Sequence, residues 1–426
     1  MFCSRTYRTV SGLGLVVGVE LRQTARRAEL QVRLEIETKI DGAASARRNA
    51  AARRNHPDSL NNDVLTEILL RVPPKSILRA RAVSKHWRHI ATRPCFLTAY
   101  ALRRPPEIVA IFRLDQGDEP ADDKSSTNSE YNKIKKAVCA IPFDDDLEGR
   151  PLLYYDPTTM LFRGFCDGLL LFNRGCDSLL IWNPATRQVG PLPSPPMASS
   201  RASVQPFGFY YHRPSGRYRV LCHVDDIPAD DTANYILSTG AAERRRLGDT
   251  MPDGVLRESS AVTLHGSLHW LIHPAKSCNP DKMVAFDTVS EKFRTMAPPP
   301  VPAADSLIYK TPHLFEMNGA LAVSAMRDAP HMEVWTLEDY NQERWAWRLR
   351  IGIPQYRICS PFTASAIGVL EGNMLVVQHD GRVMLHDMAG KRNHRTVKIG
   401  TTGDISTVWR HGIYMESLVP LTPSPS

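Results

Sequence analysis

The chain of 426 residues has no apolar run near the roughly 20 residues needed to span a bilayer; the nearest candidate, Gly12 to Val19, is eight long. A membrane-spanning helix is therefore excluded, and no membrane partner is expected. Cysteine is scattered rather than patterned. Cys3, Cys95, Cys139, Cys166, Cys176, Cys222, Cys278 and Cys359 include no C-x-x-C pair and no Cys-His cluster at zinc spacing. This argues against a disulfide framework and a structural zinc, and for a reducing compartment, the cytoplasm or nucleus. The motifs H-E-x-x-H, G-x-S-x-G and G-x-x-x-x-G-K-[ST] are absent, which removes the zincin, esterase and P-loop chemistries those spacings serve. Gly12, Gly14 and Gly18 miss the spacing of a dinucleotide loop by one residue and lie in no βαβ unit. Asp144-Asp145-Asp146 and Asp225-Asp226 lie in loop-like stretches and read as solvated turn residues. No catalytic residue, metal or cofactor is assigned.

Charge is plentiful but uneven. Residues 1–55 hold ten Arg and one Lys against five acids, so most of the formal charge of +8 lies in an Arg- and Ala-rich stretch without interleaved aromatics. Such a stretch reads as a basic, disordered extension with some likeness to a targeting segment, and nucleic acid is not an expected partner of the body.

Asp58 to Tyr100 is the most informative part. Val64, Leu65, Ile68, Leu69 and Val72 recur at helical spacing after the capping residues Asn62 and Asp63, and Pro73-Pro74 ends that helix. Ile77, Leu78, Ala82 and Val83 mark a second helix. Ser84 can cap a third, with Trp87, Ile90 and Ala91 facing inward before Pro94 breaks the pattern. Three short helices in residues 56–100 are near the lower size limit for an independent core, so the unit reads as a docking module.

This segment resembles an F-box. The resemblance is carried by Leu60, Asp63, Leu65, Glu67, Ile68, Leu69, Arg71, Val72, Pro73, Lys75, Ser76, Ile77, Arg79, Val83, Lys85, Trp87, Arg88, Ile90 and Pro94. It departs from the family pattern at Asn61, at Ser84, and at Ala80-Arg81, where lost apolar bulk implies weaker docking. The resemblance implies a Skp-type adaptor as partner, and through it the cullin and RING subunits of a ubiquitin ligase. The implied adaptor contacts are Leu60, Leu65, Ile68, Leu69, Val72, Pro73, Ile77, Leu78 and Val83, with Trp87 anchoring the helices to one another.

From Arg104 to Pro420 short apolar strands bounded by Gly, Pro and Asn replace the helical pattern, leaving 421–426 as a tail. Gly168, Gly266, Gly319 and Gly372 each follow a polar residue and precede an apolar strand. A second landmark, at Trp182, Phe286, Trp335 and Leu385, precedes polar turns at Asn183, Asp287, Thr336 and Asp387. Both series repeat at about 50 residues, with a fifth unit in Phe207 to Val224, where two strands flank a Pro-Ser-Gly turn. That period predicts a kelch-like β-propeller of about six blades, closed by a strand near Gly412 to Leu418; a β-sandwich is the alternative. The fold class is thus α+β multidomain. His265, His269 and His273 would share a face on a helix, but Leu268, Trp270 and Ile272 alternate as in a strand, which spreads the histidines too far for one metal.

These units resemble the F-box-associated domain of plant F-box proteins at Gly168, Trp182-Asn183-Pro184, Phe207-Gly208-Phe209, Gly266, Leu268, Trp270, Phe286-Asp287 and Trp335. The resemblance implies a non-catalytic substrate receptor whose β domain selects an unknown target protein for ubiquitination. The alternatives are an interaction scaffold that assembles no ligase and, against the absence of a convergent acid or His set, a propeller enzyme.

Overall fold

In the computed structural model the chain divides into two units, Met1–Arg103 and Arg104–Ser426. Residues 61–114, 135–143, 150–195, 202–225, 233–240, 244–248, 255, 261–272, 282–300, 312–328, 330–354, 364–370, 373–379, 382–389, 395–398 and 412–421 are described. The basic extension 1–55, Leu60, His273, Gly372 and the last five residues lie outside them.

The helical unit contains α1 (Asn62–Arg71), α2 (Pro74–Val83), α3 (Lys85–Ala91) and α4 (Pro94–Leu102). The described residues thus hold four helices where the sequence pattern indicated three. Pro94 starts α4 instead of breaking the pattern, because the first helical position has no N–H partner to lose. The cap of α1 is also one residue earlier than expected: Asn61 Oδ1 accepts from the Asp63 N–H at 3.2 Å. Ser84 caps α3 as anticipated, its Oγ accepting from the Trp87 N–H at 3.4 Å.

The second unit is a six-bladed propeller of four-stranded antiparallel sheets. Blades 2 to 6 occupy residues 160–191, 203–246, 262–296, 313–352 and 365–398, each laid down inner strand first. Blade 1 is composite. Its three outer strands lie in 107–155, and its inner strand is Gly412–Tyr414 from the other end of the domain, paired Glu107 with Tyr414 and Val109 with Gly412.

Six apolar clusters fill the six seams, each drawing on two neighbouring blades. Leu170, Phe172, Val138 and Tyr414 share one across blades 1 and 2; Ile108, Ile141, Val376 and Val383 share the one that closes the ring between blades 6 and 1. A blade therefore owns no complete core, and the unit is stable only as a ring.

The recurring glycines sit in two-residue turns between the first and second strands. Asp167-Gly168, His265-Gly266 and Asn318-Gly319 have φ of +48/+75, +49/+73 and +52/+80, the doubly positive pattern of a type I′ hairpin, which tolerates Asp, Asn or His first and favours glycine second. The second landmark ends the third strand. There Asn183, Asp287 and Asp387 accept turn N–H groups through Oδ1. In blade 5 the equivalent residue is Asp339 rather than the expected Thr336. Register shifts lengthen that strand, His331–Asp339, so Thr336 remains inside it.

Candidate docking surfaces

In the helical unit, side-chain burial separates residues that build the unit from residues that face outward. Leu65, Leu69, Val72 and Ile77 are 5% exposed or less. Of the expected adaptor contacts these four are interior in this conformation, because spacing of i, i+4 and i+7 turns them toward the other helices. Ile68, Pro73 and Leu78 are half-buried, and Val83 is exposed, as is Val64, which lies one turn before Ile68 and was not among the expected contacts.

The unit is braced by polar contacts. The Tyr100 hydroxyl donates to the Val72 carbonyl at 3.1 Å, and Arg103 grips Glu67 with two bonds of 2.9 and 3.0 Å. The departures at Ala80 and Arg81 fall inside. Ala80 is buried where α2 meets α3, and the Arg81 guanidinium donates to the Ala91 carbonyl at the end of α3 at 2.6 Å. Burial holds the Arg81 pKa below the usual arginine range, yet a helix C-terminus is a favourable place for its charge. Both side chains thus make contacts within the unit, Ala80 by burial and Arg81 through the Ala91 carbonyl. The outer surface is cationic: residues 61–103 hold eight Lys and Arg against Asp63 and Glu67.

On the propeller, alternating strand direction sorts the connections between two faces. One face carries the first-to-second and third-to-fourth strand turns, all short. The other carries the strand ends that flank the longer gaps, such as Leu114 and Lys135, Pro191 and Ser203, Met296 and His313, and Gly352 and Ser365. The strand ends flanking every long connection therefore lie on one face, while the first propeller strand begins at Glu107 on the short-turn face.

The short-turn face also carries a C-terminal strap. After Tyr414 the chain crosses blade 2, where the buried Asn183 carboxamide donates through Nδ2 to the carbonyls of Ser417 at 3.1 Å and Val419 at 2.8 Å. Its Oδ1 accepts from Ala185 and Thr186, so all of its hydrogen-bonding capacity is used. Leu421, assigned to the tail by sequence, is 5% exposed within the core shared by blades 2 and 3, and so belongs to the fold. The Trp-Asn-Pro pattern marked the turn but not this second role. The available signal was Asn at a site where blades 4 to 6 use Asp.

His269 lies on the strand Ser267–Leu271, fully buried. Its Nδ1–H donates to the Val262 carbonyl at 3.1 Å and its Nε2 accepts from the Tyr340 hydroxyl at 2.8 Å across the seam between blades 4 and 5. Burial pulls its pKa down to about 4, so it is neutral at pH 7 and structural. His265 stacks edge-on against the same tyrosine. Among the described residues no three His, Cys, Asp or Glu side chains are grouped to hold a metal ion, and no helix is long and apolar enough to cross a membrane.

The chain thus combines a helical unit rich in basic residues with a six-bladed β-propeller. Residues 57–98 match the F-box domain family, and residues 152–369, just over half of the chain, match the F-box-associated β-propeller domain. The chain belongs to this family of plant F-box proteins. It is similar to the Arabidopsis thaliana F-box/kelch-repeat protein At3g23880, at 23% identity over 82% of this chain and 93% of that one. It is also similar to the Arabidopsis F-box protein At5g18160, at 24% identity over 80% and 81%. A solved oligogalacturonate lyase in complex with manganese overlaps 62% of this chain and 70% of its own at 11% identity with a TM-score of 0.37, too low to bear on function. An F-box combined with a propeller fits a substrate receptor, and proteins of this family are typically non-catalytic.

Proposed function

We propose that the protein is the substrate-recognition subunit of a cullin-RING ubiquitin ligase. The helical unit docks on a Skp-type adaptor, and the propeller holds a target protein through the face where the long connections emerge. Catalysis resides in the other subunits. The observation that carries the docking half is the outward set Val64, Ile68, Leu78 and Val83 on a unit with a fourfold excess of basic over acidic residues. Outward apolar side chains on a unit with excess cations suit a partner that offers apolar contact and acidic groups. The propeller half rests on topology, since variable binding surfaces are built on connections held by a rigid scaffold.

Full-length protein co-expressed with a Skp-type adaptor should elute from gel filtration as a one-to-one complex that also retains cullin and RING subunits. A folded propeller that elutes without the adaptor would overturn the docking reading. Adaptor binding without cullin would move the protein to a scaffold role outside the ligase.

A further inference from the structure

The outer edge of blade 5 differs from the other five edges. Outermost strands elsewhere are short: Arg150–Tyr155, Gln188–Pro191, Arg244–Arg246, Phe293–Met296 and Arg395–Lys398. The blade 5 edge strand, Arg344–Gly352, runs nine residues, Arg-Trp-Ala-Trp-Arg-Leu-Arg-Ile-Gly, with no acid. Among the described residues no strand pairs on its far side, so alternate backbone N–H and C=O groups are left pointing away from the sheet.

Short strands and cationic side chains are ordinary ways of protecting an edge from pairing with another chain. Protection explains the arginines but not the length, nor a tryptophan that is 52% exposed at Trp347. The register shift opposite Val334 and Trp335 inserts Arg348 as an extra residue, which presents Trp347 and Arg348 outward in succession. Trp335 lies directly across from Trp347 in the ladder.

We infer that the Arg344–Gly352 edge binds an acidic, extended peptide segment of a partner protein as a fifth strand of blade 5. Backbone hydrogen bonds would supply affinity, Trp347 would cover an apolar side chain, and Arg344 and Arg348 would pair with carboxylates. The same cations disfavour a second copy of this edge, so the charge excludes self-pairing while admitting an acidic strand. This surface is separate from the adaptor-docking residues and does not depend on the ligase reading.

The test uses full-length protein and a fluorescent peptide of alternating Glu and Val, with an alternating Lys and Val peptide and an equally charged single-stranded DNA as comparisons. The acidic peptide should bind with quenching of tryptophan fluorescence and slowed amide exchange within 344–352. Binding should weaken at least tenfold in Trp347→Ser and in Arg348→Glu, both exposed positions whose melting temperature should match the wild type. Arg344→Glu serves as an additional variant should either fail to fold. Absence of acidic-peptide binding, equal binding of the basic peptide, unchanged binding in all variants, or binding without amide protection would each overturn the proposal. Equal or tighter binding of the DNA would overturn it in favour of a nucleic-acid surface.

Discussion

Replacing Asn183 by Asp removes two hydrogen-bond donors while keeping side-chain volume and the Oδ1 acceptor of the turn. In the wild type Nδ2 reaches the Ser417 and Val419 carbonyls at 3.1 and 2.8 Å, in a site where Asn183 is fully buried. Two lost bonds cost about 2 kcal/mol, and setting a carboxylate against two carbonyls raises the total to roughly 3–4 kcal/mol. At about 2 °C per kcal/mol for a domain of this size, the melting temperature should fall by about 6–8 °C at pH 7. Burial raises the pKa of the introduced carboxyl, so the folded state takes up a proton more readily than the unfolded chain. The deficit should therefore shrink as pH falls from 7 toward 5, when the acid form regains one donor. Thermal melts at the two pH values, with amide exchange at Val419 and Leu421, read the effect. A variant that melts within about 1 °C of wild type at pH 7, with unchanged exchange in the strap, would refute the clamp.

The same strap predicts unequal effects at two glycines of identical turn type. A Cβ on Gly168 would lie 2.5 Å from the Met415 carbonyl oxygen and 2.7 Å from Ser417 Cβ, whereas one on Gly266 meets nothing nearer than Thr288 Oγ1 at 4.0 Å. Gly266→Ala should cost only the left-handed penalty of about 1–2 kcal/mol, and Gly168→Ala at least about 2 kcal/mol more by denaturant unfolding. Equal losses would argue that the strap does not press on the turn. In the helical unit, Ile68→Arg with Leu78→Arg should abolish adaptor pull-down while the melting profile holds; retained adaptor binding would exclude these two as contacts. Leu65→Arg would be a poor test, because Leu65 is buried and its loss would unfold the unit. The depressed pKa of His269 gives stability that is full above about pH 6.5 and is lost as pH falls toward 4, while the unfolded imidazole gains a proton that the folded one refuses. Between pH 7 and pH 5 the wild type should lose about 2 kcal/mol more than His269→Gln, and parallel losses would show that His269 does not carry this dependence.

The propeller was legible because its punctuation is local chemistry. Doubly positive φ turns favour Gly second and Asp, Asn or His first, so Gly168, Gly266 and Gly319 recur at one period whatever the strands between them contain. Features that depend on contacts across sequence were not legible. Thr336 looked like a turn residue because the bulges that lengthen its strand arise from pairing with Arg344–Gly352. Leu421 looked like tail because its partners, such as Leu169 and Leu237, lie far away in sequence. In the helical unit the apolar pattern identified Leu65, Leu69 and Ile77, but periodicity alone cannot separate a residue that packs inward from one that awaits a partner. Ala80 and Arg81 show the same limit. Against a family pattern they read as lost apolar bulk, while in three dimensions Ala80 is buried and the Arg81 guanidinium donates to the Ala91 carbonyl.

Ring closure explains why the C-terminus needs more than a strand. Among the described residues the closing pairing joins Gly412, Ile413 and Tyr414 to Val109, Ile108 and Glu107. It also joins residues about 300 apart, which costs roughly 1.5 kcal/mol more loop entropy than joining successive blades about 50 apart. Gly412 cannot be enlarged to add contact, because a Cβ there would overlap the Phe165 ring from the neighbouring inner strand. Further stabilisation comes from blade 2, where Asn183 binds two strap carbonyls and Leu421 fills the seam. Blade 2 rather than blade 1 therefore secures the C-terminus. An Asn in place of the Asp used in blades 4 to 6 is the sequence cost of that arrangement. Weakening this clamp should loosen all six seams together, because no blade holds a complete core of its own.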